Sequence, residues 1–231
     1  VASSRGCTDY TVRMVEQIPV PGPAWRVLRA QDCVRTRWKN GLGWTREVAR
    51  GCLPPDAPSA QIVDGWDWRL SIGEIDADAD FSTFHGVDRE LTLLSGAGVR
   101  LRGADGSLRE VLPPHGSARF DGETRLHGER VDGRVEVLNL MWRRDAVAVQ
   151  SWFRPLVGPM LVFAAPGETW LVHLVAGQAR LDRDERTPLL EMGDSVLLSA
   201  TDARERCLLE GGGAVVLAKL APLSRGMTDD Q

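Results

Sequence analysis

Between Trp66 and Ile75 the chain reads WDWRLSIGEI, in which Trp66, Trp68, Leu70 and Ile72 alternate with Asp67, Arg69, Ser71 and Gly73. A period of two predicts a β-strand whose two faces differ chemically. Further strand-length units follow: ELTLLSGAGVRLR, SLREVLPP, GRVEVLNLMW, AVAVQSWF, MLVFAAP, TWLVHLVAGQARL, DSVLLSA and GAVVLAKLAPL, punctuated by Gly, Pro and Asp. Few windows hold helical spacing over three turns, so the pattern predicts an all-β barrel or sandwich. The crossover helices of an α/β fold are not found. The triplet Gly211–Gly213, ahead of VVLAKL, reads as a hairpin turn entering the last strand.

The ends and joints are legible too. Residues 1–22 look peripheral, with a PVPGP turn at Pro19–Pro23, and ordered sequence is expected from Trp25, where WRVLRA makes a short strand. Gly51–Gly65, rich in Pro, Ala and Asp, reads as a long loop. Leu91–Leu101, LTLLSGAGVRL, echoes Leu171–Leu181, LVHLVAGQARL. A duplicated half fits this echo, and so does chance similarity between meanders.

Composition narrows the function classes. A chain of 231 residues can bury a sizeable core, and a net charge of −4 without a long basic run offers nothing to nucleic acid. Arginine supplies nearly all the basic residues, which suits anion recognition or reflects coding composition. Cys7, Cys33, Cys52 and Cys207 contain no CxxC pair, so neither a zinc site nor a redox dithiol is expected. No apolar run approaches the roughly 20 residues of a membrane span. The opening residues lack the charged-then-apolar order of a signal peptide, so cytoplasm is the expected location.

Neither a nucleophile elbow, a P-loop nor a dinucleotide fingerprint is present. His85, His115, His127 and His173 stand far apart, and no metal site is expected from them. The segment Arg37–Arg50, RWKNGLGWTREVAR, is better ligand chemistry. Asn40 both donates and accepts, Thr45 offers a hydroxyl, Glu47 a carboxylate, and Gly41 and Gly43 permit tight curvature or close approach. A turn closed by Asn40 explains the same residues. Arg69 and Ser71 share the polar face of WDWRLSI with two outcomes open: solvent, or a barrel mouth where the guanidinium forks onto a carboxylate. Ser82 and Arg89 belong to this second set. Asn139, on one strand face with Met141, is a structural bridge or a ligand contact. Trp38 or Trp68 could supply a flat wall for a planar ligand, and Trp38 or Phe84 would pack against a bound one. Were the protein an enzyme, Glu47 would act as general acid or base with an arginine or amide stabilising developing negative charge, a reading that Glu47 buried beside His85 would favour.

An ordered set of segments resembles the HutD/Ves family: WKNGLGWTRE at Trp38–Glu47, WDWRLSIGEI at Trp66–Ile75, DFSTFHGVDRELTLLSG at Asp80–Gly96, ARFDGE at Ala118–Glu123 and VLNLMWRR at Val137–Arg144. The first looks like the family's W-K-N-G-G-G-x-T-x-E, with Leu42 in place of the middle glycine. The resemblance implies a cupin-like β-barrel or jelly roll, duplicated as a bicupin, with barrels at 24–145 and 146–223. The clustered histidines of metal-binding cupins are missing from both halves, so neither cofactor nor metal is expected.

Family members are associated with histidine utilisation and with stress responses. Polar residues around glycines without a complete catalytic constellation suggest a non-catalytic module that binds a small anionic metabolite and adjusts amino-acid catabolism, and the resemblance suggests urocanate or formylglutamate as candidate ligands. A metal-independent enzyme acting on a small carboxylate and a protein-interaction module, such as a homodimer, are the alternatives.

Overall fold

The computed structural model describes residues 24–38, 40–55, 65–182, 187 and 189–223. The peripheral segment with its Pro-rich turn, most of the Pro/Ala loop and Lys39 lie outside the described residues, as does Cys7. Sixteen strands and one short 3-10 turn at Ala30–Asp32 follow one another among them, so the all-β, cupin-like expectation holds. None of their helices is long and apolar enough to cross a membrane.

In chain order the strands are β1 (Trp25–Leu28), β2 (Arg35–Arg37), β3 (Gly43–Gly51), β4 (Trp68–Ile75), β5 (Ala79–Asp80), β6 (Val87–Ser95), β7 (Val99–Gly103) and β8 (Leu108–Val111). Then come β9 (Ser117–Asp121), β10 (Leu126–Arg130), β11 (Val135–Arg143), β12 (Val147–Ala164), β13 (Thr169–Leu181), β14 (Leu190–Glu191), β15 (Ser195–Ser199) and β16 (Glu205–Pro222). A six-stranded sheet, β2-β3-β4-β11-β6-β9, and a four-stranded sheet, β5-β10-β7-β8, form the first half. Ile75, Leu91, Leu101, Val111, Leu126 and Val135 fill the space between them.

The second half is a single bent sheet, β1-β15-β13-β16-β12, with β14 on β13. Its hollow is packed with Leu156, Leu174, Leu181, Leu198 and Leu209. Strand β1 comes from the front of the chain yet pairs with β15. The pairing order of the two halves corresponds: β6 lies between β9 and β11 as the start of β13 lies between β15 and the end of β16. They differ in that the echoing segments are two strands, β6 and β7, lying in different sheets in one half, and one continuous strand, β13, in the other.

Gly211–Gly213 do not form the expected turn; they lie inside β16. A Cβ on Gly211 would stand 2.1 Å from the Gln178 carbonyl oxygen, and one on Gly213 would stand 1.9 Å from that of Ala176. The triplet lets β16 bend tightly over β13. Likewise AVAVQSWF and MLVFAAP, expected as two strands, are one 18-residue strand, β12, running through Pro155, Gly158 and Pro159.

The apolar face of WDWRLSI turns toward the second half of the chain. Trp68, Leu70 and Ile72, with Leu138, Leu140 and Trp142 of β11, pack against Leu171, Val216, Ala218 and Leu220 of the second half. Burying each large apolar side chain contributes about 1.5–3 kcal/mol, so this seam unites the halves. On the same side, buried Glu74 gathers Arg35, Arg46 and Arg134. Burial opposes its ionisation, but the Arg35 hydrogen bond and the three positive charges override it and hold the carboxyl below its usual range. The other face, carrying Arg69, Ser71 and Gly73, is left to line the barrel interior.

Candidate functional site

Register builds the site. Across β4, β11 and β6, Arg69 faces Met141 and Met141 faces Arg89; one row further in, Ser71 faces Asn139 and Asn139 faces Leu91. Strand β3 extends the rows, with Glu47 opposite Ser71 and Thr45 opposite Gly73. Residues far apart in sequence thus form a grid on one wall of a cavity of about 400 Å³. Leu91, Ser71 and Met141 make a buried floor, while Asn40, Asp80 and Ser82 lie at an exposed rim.

Arg89 dominates the chemistry. It is 6% exposed. Its Nη1 donates to the Ser82 carbonyl oxygen at 3.0 Å, and its Nε and Nη2 each stand 3.4 Å from Asn139 Oδ1. The rings of Phe81, Phe84 and Phe120 surround the guanidinium at 5.3, 5.5 and 5.3 Å. Burial, reinforced by the charge of Arg69, pushes its pKa down to about 10, so it remains a cation at neutral pH. Among the described residues no carboxylate pairs with it.

The network continues from Asn139, whose Nδ2 stands 3.4 Å from Ser71 Oγ as donor. Arg69 donates from Nε to Glu47 Oε2 at 2.8 Å. That pair separates the main cavity from a shallower one of about 360 Å³, which Glu47, Arg69, Thr36 and Arg37 line. Two guanidinium groups therefore flank the cavity against one carboxylate on this wall. At the rim, Asp80 Oδ1 lies 2.6 Å from His127 Nδ1 and accepts from it when that nitrogen carries the proton.

The Trp38–Glu47 motif closes one side. Trp38 Nε1 donates to Thr45 Oγ1 at 2.9 Å, standing the indole against the cavity. Gly43 makes room: a Cβ there would lie 2.4 Å from the Glu74 carbonyl oxygen and 2.9 Å from the Trp38 ring. Asn40 Oδ1 accepts from the Leu42 amide at 3.0 Å, so the turn reading of this residue is correct while its side chain also borders the cavity. Leu42 stays out of the left-handed region, which Gly41 occupies with φ 74°.

The structure thus gathers Trp38, Asn40, Thr45, Arg69, Ser71, Ser82, Phe84, Arg89, Asn139 and Met141 around one cavity. Two expected residues fall outside its lining. Glu47 faces the neighbouring cavity and is held by Arg69 and Arg50, because Arg69 draws its carboxylate sideways. His85 lies exposed in the turn before β6. Glu47 and His85, the residues named for the enzyme alternative, do not line one common cavity. Phe81 and Asp80 were missed; the only signal was their place in DFSTF beside Phe84. Among the described residues no group of three His, Cys, Asp or Glu side chains is placed to hold a metal ion.

The model of the HutD family matches residues 30–217. The chain belongs to the HutD family. This HutD-family chain is 38% identical over 129 residues to an uncharacterized 21.2 kDa protein in the hutC 3' region of Pseudomonas putida, covering 55% of the chain and 64% of that relative. It is 38% identical over 114 residues to protein Ves of Cronobacter sakazakii, covering 49% and 58%. The matches therefore span less than two thirds of either curated relative. The solved structure of HutD from Pseudomonas fluorescens SBW25, formate condition, superposes with TM-score 0.71 at 27% identity over 86% of this chain and 98% of that one. Structures at 9% identity share the cupin-like fold alone.

Proposed function

We propose that this protein binds a small carboxylate metabolite, without transforming it, and thereby adjusts amino-acid catabolism. One observation carries the reading: Arg89 is a buried cation with hydrogen-bond partners but no counter-ion among the described residues. Burying an unpaired guanidinium costs several kcal/mol, and an anion in the adjoining cavity offsets that cost. The carboxylate docks between Arg89 and Arg69. Ser71, Thr45, Asn40 and Asn139 meet its polar edge, and Trp38 and Phe84 pack on its body.

Histidine utilisation is the favoured pathway, supported by the hutC-region relative and the HutD family match. Urocanate and formylglutamate are the candidate ligands, and formate, named in the condition of the Pseudomonas fluorescens structure, is the smallest. A cytoplasmic location suits such ligands. The test is isothermal titration of the purified chain with urocanate, formylglutamate, formate and histidine, followed by NMR of the recovered ligand. Saturable heat with an unchanged ligand is expected. No heat above dilution up to about 1 mM, or chemical conversion of the ligand, contradicts the reading.

A further inference from the structure

We propose that the outer face of β12 is the surface through which two copies of this chain form a two-fold dimer. Along this strand the even-numbered Leu156, Val162 and Ala164 are buried in the second half. The odd-numbered residues Phe153, Pro155, Val157, Pro159, Leu161 and Phe163 all face solvent. Val157 is 87% exposed and Leu161 50%. An unbroken apolar row on a solvent-facing strand is the reverse of ordinary half-buried alternation and marks an interaction surface.

The occupant that fits is the same row of a second copy. About Gly158 the pattern is nearly symmetric: Phe153 answers Phe163, Pro155 answers Leu161, and Val157 answers Pro159. A two-fold axis through Gly158 sets each member of a pair against its counterpart on the other copy, which is what an isologous contact requires. Gly158 has no side chain to hold the copies apart, and a Cβ built on it meets nothing within 4 Å. The row exposes on the order of 400–500 Å² per copy, so two copies cover about 1,000 Å², the least that a biological interface needs and the size of a weak, reversible one.

Packing is face on face. Strand β12 is the edge of its sheet, but Pro155 and Pro159 withhold two N–H groups, which interrupts addition of a partner strand. At one end Phe153 is already braced by His115, their rings stacked with centroids 4.3 Å apart. That contact lies at the joint between the two halves and presents the phenyl ring in a fixed orientation.

Sedimentation velocity on the full chain from about 1 to 100 µM tests this. A species of twice the chain mass is expected, with Val157→Glu and Leu161→Glu each shifting it to monomer by at least tenfold in dissociation constant. Both positions are exposed, so far-UV circular dichroism should stay at the wild-type signal and unfolding should stay cooperative, its midpoint lowered only by the lost association, which separates lost association from lost folding. A wild-type monomer throughout the range overturns the proposal. So does a dimer that persists in both folded variants, or one broken instead by charges placed on the opposite edge strand, β1.

Discussion

Asn139 Oδ1 lies 3.4 Å from both Nε and Nη2 of Arg89, and among the described residues no carboxylate shares that guanidinium. An amide oxygen at this distance orients the group without neutralising it. Beside the cavity this charge has no counter-ion among the described residues, and a carboxylate at position 139 would supply one. Asn139→Asp should pair Arg89 permanently, raise the unfolding midpoint by a few degrees and weaken carboxylate binding at least tenfold. Calorimetric titration and differential scanning calorimetry on one preparation read both effects. A fall in stability together with unchanged binding contradicts the prediction.

Arg89→Met removes the same charge while keeping much of its volume among Phe81, Phe84 and Phe120. Replacing an unpaired buried cation by an apolar chain should leave stability unchanged or raise it by about 1 kcal/mol, while binding falls beyond detection. Urea unfolding checks the first half and titration the second. A loss of more than about 3 kcal/mol would assign Arg89 to the architecture instead of the ligand.

His173 governs a separate property. It is 2% exposed, with Nδ1 2.8 Å from Ser195 Oγ. Burial, aided by the Arg46 charge and opposed by Asp194, pushes its pKa from 6.5 to about 4. Because the fold holds the neutral form, stability is full above pH 6.5 and drops as pH falls from 6.5 to 4, by about 3 kcal/mol. Glu74 and Asp194, with lowered pKa values, add losses only below the normal carboxylate range. Urea unfolding at stepped pH should show the slope in wild type and a flatter profile in His173→Gln. Equal slopes in both proteins would remove His173 from the account.

Leu42 stands between Gly41 and Gly43 without disturbing the site. Its backbone is not left-handed, and it is not part of the cavity wall. Leu42→Gly should therefore leave carboxylate affinity within twofold and cost about 1 kcal/mol or less in stability, through the freer unfolded chain. A tenfold change in affinity would give Leu42 a part in shaping the pocket.

Strand positions were legible because alternation is local: WDWRLSIGEI announces β4 and its two faces directly. Which face turns inward was not legible, since the answer depends on the second half packing against Leu70 and Ile72. The meeting of Arg69, Met141 and Arg89 depends on the register of three strands distant in sequence, which no local pattern contains. Glu47 shares a strand with Thr45, yet the pull of Arg69 on its carboxylate sends it to the neighbouring cavity. The glycine triplet was misread because a hairpin turn and a close strand crossing ask for the same residue. Only the Ala176 and Gln178 carbonyls distinguish the two.

The central claim is that a carboxylate completes the charge of Arg89, and the most direct measurement is the Arg89 Nε–Hε resonance in nitrogen-15 NMR, assigned by its loss in Arg89→Met. Titration with urocanate or formylglutamate should move that resonance progressively and saturate at the affinity found by calorimetry. Saturable binding that leaves the Arg89 resonance in place would contradict the account.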